Sequence, residues 1–145
     1  MKTKEISVGY GKVALVKIGG TLPLVFLGGP CAIESLDHAL KMADQIGTIC
    51  ENLEIPWIYK SCYDKDCRSS PSSFHGIGLE EGVRILEEVR NNSGIPVVSD
   101  FAHADDAPIL GEVCDFIQIP AYLCRQTHVL RAAAQTKRPI HLKKG

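Results

Sequence analysis

The sequence predicts an α/β protein with a parallel sheet, and three observations predict it. Short apolar runs rich in β-branched and aromatic residues alternate with amphipathic segments of helical length along the chain. The connections between them are short, as in strand–helix–strand units. Finally, Cys31, Lys60, Asp100, Gln118 and Lys143 each fall at or just beyond the C-terminal end of a predicted strand, where parallel α/β proteins build their sites.

Taken in order, Ile6-Ser7-Val8 and residues 13–18 flank Gly9-Tyr10-Gly11-Lys12 and predict a β-hairpin that caps the rest of the domain. Residues 24–27 predict a short buried strand stopped by Gly28-Gly29-Pro30. Ser35 is positioned to N-cap a helix reaching about residue 50, with Leu36, Ala39, Leu40, Ala43, Ile46 and Ile49 near helical spacing and Asp37 in its first turn. A second strand, 55–59, opens into a long Ser-rich loop containing Pro71, Gly76 and Gly78, a length that suits a functional loop. Residues 79–90 form an amphipathic helix with Val83, Leu86 and Val89 on one face, stopped by Asn91-Asn92-Ser93-Gly94. A third strand at 95–99 meets Asp100, a helix covers about 106–113, and the fourth strand is Phe116-Ile117-Gln118-Ile119. Residues 126–136 give the fourth helix and Ile140-His141-Leu142 the fifth strand. This alternation fits either an open doubly wound sheet or part of a (β/α)8 barrel.

With 145 residues and 45% hydrophobic content, the chain is the size of one domain able to bury a core, and it shows no linker or repeat. Sixteen Lys and Arg against 17 Asp and Glu leave a formal net charge of -1, so no overall positive field gathers nucleic acid or an anionic membrane. The longest apolar stretches, such as 22–27, are too short to span a bilayer, and the N-terminus lacks a signal-peptide apolar segment; a cytoplasmic location is expected. Six cysteines without metal-ribbon spacing are expected to be reduced.

The chemistry concentrates in Lys60-Ser61-Cys62-Tyr63-Asp64-Lys65-Asp66-Cys67-Arg68-Ser69-Ser70, which offers cations and hydroxyls suited to a phosphate dianion. Lys65 alone would pass for a solvated charge, whereas Lys60 directly follows an apolar strand. Cys31 is open to two readings, an inert buried thiol or a ligand for a borderline-soft divalent metal. Asp100 reads equally as a helix N-cap or as a site carboxylate. His38, His75, His103, His128 and His141 lack metal-binding helical spacing and are expected on surfaces or loops.

Three segments together resemble the 3-deoxy-D-manno-octulosonate 8-phosphate synthases: the Tyr59-to-Ser70 run, Gly28-Gly29-Pro30-Cys31-Ala32-Ile33-Glu34-Ser35, and Gln118-Ile119-Pro120-Ala121-Tyr122-Leu123-Cys124-Arg125-Gln126-Thr127. The resemblance runs from Leu24 to the last residue, and the spacing from Asp100 through Gln118 and Arg125 to Lys143 fits without gaps. It implies a single, incomplete (β/α)8 TIM barrel domain over residues 1–145, with a hairpin cap at 1–20 and the first five strands and four helices at 21–145. It further implies condensation of phosphoenolpyruvate with arabinose 5-phosphate, for lipopolysaccharide biosynthesis. Lys60, Lys65, Lys143 and Gln118 would face phosphoenolpyruvate, Arg68, Ser69 and Asp100 the aldose phosphate, and Arg125 would reach in from a neighbouring subunit of a homo-oligomer, a tetramer in the full-length family.

Cys31 in this motif marks the metal-dependent form, whose cofactor is a divalent metal and whose other ligands come from the second half of the barrel. The family's usual Lys-Ala-Asn-Arg-Ser is here Lys65-Asp66-Cys67-Arg68-Ser69, and its Val-His-Glu after the aspartate is Phe101-Ala102-His103. Both departures fall on the aldose side. The alternatives are a 3-deoxy-7-phosphoheptulonate synthase-like enzyme using erythrose 4-phosphate, or a non-catalytic domain that binds a phosphorylated metabolite. A chain ending after five strands is expected to have little activity alone, because sheet edges and inner faces stay uncovered.

Overall fold

The computed structural model describes residues 3–145. Two antiparallel strands, β1 (Ile6–Val8) and β2 (Val16–Ile18), form the expected hairpin, with Ile6 opposite Ile18 and Val8 opposite Val16. β2 is shorter than predicted because the chain before it leaves the ladder: the Ala14 amide donates to the Gly94 carbonyl at 2.8 Å.

A five-stranded parallel sheet comes next, in the order β3 (Phe26–Gly28), β4 (Trp57–Lys60), β5 (Val97–Asp100), β6 (Phe116–Ile119), β7 (Ile140–Leu142). Every neighbour in space is the next strand in sequence, which is the winding of a (β/α)8 barrel rather than of a doubly wound sheet. The molecule is therefore a half-barrel. β3 and β7 are its edges, each paired on one side among the described residues.

Helices α1 (Leu36–Asn52), α2 (Leu79–Ser93), α3 (Ala107–Val113) and α4 (Thr127–Gln135) cross between the strands. Ser35 caps α1 as predicted, its Oγ accepting from the His38 amide at 3.2 Å. α2 ends at Gly94, whose φ of 67° is the left-handed conformation that glycine adopts without steric cost. Two short 3-10 turns, Ala104–Asp106 and Ala121–Leu123, complete the chain. Neither was predicted; the second comes after Pro120, which starts it with an extended ψ of 155°.

The period of two along each strand sorts the core into two parts. Outward residues such as Tyr59, Val97, Ile117 and Ile119 pack with the helices, including Ile85, Leu86 and Val89 of α2 and Leu110 of α3. Inward residues Ile58, Val98 and Phe116 form a second cluster with Val8 and Val16 of the hairpin. The hairpin thus plugs the N-terminal end of the half-barrel, the capping role its sequence predicted, and each buried valine contributes about 1.5–3 kcal/mol.

A polar clamp holds the plug in place. Asp115, its side chain without exposure, accepts from Arg90 Nε at 2.9 Å and Nη2 at 3.0 Å, from the Tyr10 amide at 3.1 Å and from the Val97 amide at 3.0 Å. Arg90 also donates to the Tyr10 carbonyl at 2.6 Å, and the guanidinium carbons of Arg90 and Arg138 lie 4.1 and 3.7 Å from the Tyr10 ring centroid. Among the described residues no helix is long and apolar enough to cross a membrane. All six cysteines are free.

Candidate active site

The alternation that sends Ile58, Val98 and Phe116 inward also sends Lys60, Asp100 and Gln118 inward, two residues further along their strands. The inner face therefore turns from apolar at the plugged end to polar at the C-terminal end. Lys60 closes β4 and Asp100 closes β5, and Lys60 Nζ lies 2.9 Å from Asp100 Oδ1 with both side chains largely buried. Asp100 is thus an ion-pair partner at the site, and His103, not Asp100, precedes the 3-10 turn as its cap.

Cys62 completes this cluster. Its Sγ lies 2.6 Å from Lys60 Nζ, and it donates to the same Asp100 oxygen. Burial pushes the Cys62 thiol up to about 11, so it is neutral near pH 7 and the charges belong to Lys60 and Asp100. Burial opposes both charges, yet the surrounding groups outweigh it: Lys60 is held above its ordinary value beside Cys62 and Asp100, and Asp100 below its own by Lys60 and its hydrogen bonds.

The loop after β3 is stitched to the end of β4. Ser61 Oγ donates to the Pro30 carbonyl at 2.7 Å and the Ile33 amide to the Cys62 carbonyl at 2.9 Å. Gly29 permits this approach, because a Cβ there would stand 2.2 Å from the Lys60 carbonyl oxygen. Gly29→Ala is expected to force β3 away from Lys60 and cost about 1–3 kcal/mol, read as a lower urea midpoint; an unchanged midpoint would show that the strands separate freely.

Further out, half-buried Lys65 lies beside Cys31; burial lowers its pKa, but the hydrogen bond to Cys31 and the other thiols nearby carry it above its ordinary value. Cys31 itself is exposed. Among the described residues no three His, Cys, Asp or Glu side chains gather as a metal site. Cys31 and the other thiols around Lys65 do not make up a coordination set among the described residues.

Arg68 and Ser69 stand exposed on the loop beyond Lys65, where Arg68 Nε donates to the Phe74 carbonyl at 3.1 Å. Among the described residues neither hydrogen-bonds to Lys60 or Asp100. Arg125 is exposed just before α4, and Lys143 is exposed just past β7, its amide continuing the ladder to the Ile119 carbonyl at 3.1 Å.

Two inward residues escaped the reading of the sequence. Cys62 lies two residues beyond Lys60 on the same face. His141 lies in the strand predicted for it, as the middle residue of β7 directly opposite Gln118 in the register, but it is half-buried on the inner face rather than on a surface or loop. Its Nδ1 lies 2.9 Å from Gln118 Oε1, and its ring stacks on Phe116 with centroids 5.9 Å apart. Burial, Lys143 and Lys60 lower its pKa. The available signal was one polar residue between Ile140 and Leu142 in a strand with a polar inner face.

Known proteins of similar sequence match nearly the whole chain. The chain is 50% identical over 143 residues to a 2-dehydro-3-deoxyphosphooctonate aldolase of Cyanothece sp., covering 99% of this chain and 49% of that protein. It is 49% identical over 128 residues to the Synechococcus sp. protein of the same name, covering 88% of this chain and 45% of the relative. For the Geotalea daltonii protein the identity is 46% over 142 residues, covering 98% and 50%. The chain spans about half the length of the curated relatives it matches. With a match to the family's sequence pattern over residues 5–145, this chain belongs to the DAHP synthetase I family.

Proposed function

We propose that this chain is part of a cytoplasmic 3-deoxy-D-manno-octulosonate 8-phosphate synthase, a transferase condensing phosphoenolpyruvate with arabinose 5-phosphate and water. The observation that carries the reading is the inward row of Lys60, Asp100 and Gln118 at the strand ends, in a chain 46–50% identical to 2-dehydro-3-deoxyphosphooctonate aldolases. On this reading residues 1–145 are one part of a single barrel domain.

Lys60, Lys65, Lys143 and Gln118 would bind and orient phosphoenolpyruvate, countering the charge of its phosphate and carboxylate. Phosphoenolpyruvate C3 attacks the aldehyde carbon, water adds at C2, and phosphate leaves with its bridging oxygen. Asp100 would hold the aldose hydroxyls, while Arg68 and Ser69 would grip its phosphate. Arg125 would complete a neighbouring subunit's site. Cys31 would be one ligand of a divalent metal whose remaining donors lie outside these residues.

Fusing the chain to the uncovered half of the Cyanothece relative is expected to give phosphate release with arabinose 5-phosphate and not with erythrose 4-phosphate. Preference for erythrose 4-phosphate would move the assignment to 3-deoxy-7-phosphoheptulonate synthesis. Binding of phosphoenolpyruvate without release, with either aldose and added metal, would support a binding domain instead. The 145-residue chain alone is expected to turn over little, since both edge strands of the described sheet are paired on one side only and the barrel is not closed.

A further inference from the structure

The half-buried imidazole of His141 is an inward side chain at this end that the proposed chemistry leaves without a task. Gln118, 4% exposed, has its Oε1 engaged by His141 Nδ1 at 2.9 Å. The imidazole is in turn braced by its stacking on Phe116. We infer that His141 is a positioning residue: it holds the Gln118 amide with its carbonyl toward the imidazole and its NH2 free to meet an anionic substrate, and it lends the site a proton-dependent positive charge. This rests on the reading that the inner face binds phosphoenolpyruvate.

The geometry assigns the proton. An amide oxygen only accepts, so Nδ1 must carry the hydrogen, and Nε2 is the nitrogen that titrates. Protonating Nε2 leaves the Nδ1–H bond to Gln118 intact. The amide keeps its orientation in both charge states, and only the charge of the site changes.

The groups that act on that charge come from four strands. Lys143 lies just past the same strand, and Lys60 stands at the end of β4; both oppose an imidazolium. Asp100, at the end of β5, has its charge engaged by Lys60, and the Cys62 thiol next to them is neutral. From β6 come Gln118 and Phe116, both uncharged. With no anion present, burial and the two ammonium groups therefore keep the ring neutral into the range where an ordinary histidine begins to protonate. An anion bound among the lysines reverses the balance. By linkage, whatever factor the anion adds to proton affinity, protonation adds to anion affinity.

The test uses the 145-residue chain and phosphoenolpyruvate. Affinity is measured by calorimetry at about pH 5.5 and about pH 8, on either side of an ordinary imidazole. The ligand's phosphate titrates in the same range, so wild type is compared with His141→Asn and His141→Phe at each pH. His141→Phe retains a ring over Phe116 but carries no proton. Wild type is expected to bind about tenfold more tightly than either variant at the lower pH, equivalent to about one unit of pKa rise on binding, and the margin is expected to shrink at the higher pH.

A margin independent of pH would overturn the inference while leaving the substrate reading in place. No binding by wild type at either pH would remove both. Nitrogen NMR of the wild-type imidazole needs no variant: it is expected to show the Nδ1–H tautomer and an upward pKa shift on adding phosphoenolpyruvate. An Nε2–H tautomer, or no shift in a chain that binds the ligand, would equally overturn it.

Discussion

A Lys60→Met chain should bind phosphoenolpyruvate about a hundredfold more weakly than wild type, the loss expected when a charge-assisted contact to an anion is removed. It should also be less stable by about 3 kcal/mol. Asp100 sits with its side chain 14% exposed and its oxygen 2.9 Å from Lys60 Nζ, so removing the ammonium leaves a buried carboxylate without its counter-charge. The two effects can be separated. In Lys60→Met with Asp100→Leu, the buried pair becomes an apolar contact; stability should return to near the wild-type level while binding stays lost. Calorimetry and urea denaturation on the same samples check this, and a Lys60→Met chain that binds phosphoenolpyruvate normally would remove Lys60 from the site.

The same pair sets a pH window. Asp100 is held below its ordinary 3.8, so its share of stability is present above that value and lost as pH falls through the depressed one. Lys60 is held above its ordinary 10.5, so its share is present below that value and lost as pH rises through the elevated one. The ion pair contributes fully only between these limits.

The largest effect on stability is expected from Asp115→Asn, at about 3–5 kcal/mol. The substitution keeps the shape of the side chain but places an amide where a fully buried carboxylate receives two nitrogens of Arg90 and the amides of Tyr10 and Val97. Two hydrogen bonds would then meet donor to donor, and Arg90 would lose its counter-charge. Urea unfolding measures the loss. A change below about 1 kcal/mol would mean that the clamp is dispensable and that hairpin burial alone holds the plug.

How far the sequence foretold this depends on what each residue had to report. Phe116–Ile119 and Ile140–Leu142 match their predicted bounds, because Asp115 and Pro139 punctuate those apolar runs. The strand predicted at 24–27 begins at Phe26 instead, because its ladder starts only where Trp57 offers a partner, while the Ile55 amide just before is turned back to the Cys50 carbonyl. Pro96 has no amide hydrogen, and β5 starts one residue after it. Such bounds belong to the neighbouring strand as much as to the strand itself.

At the candidate site, the shared face of Lys60, Asp100 and Gln118 was legible from their place after apolar runs, since a period of two carries them there. The contact between Lys60 and Asp100 was not legible, because it joins residues 40 apart. Nor was the place of His141, which needs the register of β6 on β7 before it stands beside Gln118. Asp115 stands between Cys114 and Phe116 with no local feature to announce four hydrogen bonds from Tyr10, Arg90 and Val97.

The clamp also bears on the order in which the chain acquires its structure during synthesis. Tyr10 leaves the ribosome well before its amide's partner, Asp115, which is 105 residues further on. At translation rates of about 5–20 residues per second, the hairpin waits about 5–20 seconds before that partner is even made. Throughout that interval Val8 and Val16 have no completed half-barrel to enter, and the hairpin is an unburied apolar segment on a growing chain. The hairpin is therefore made before the strands it plugs and secured after them, and this waiting segment is where a chaperone would have most to do.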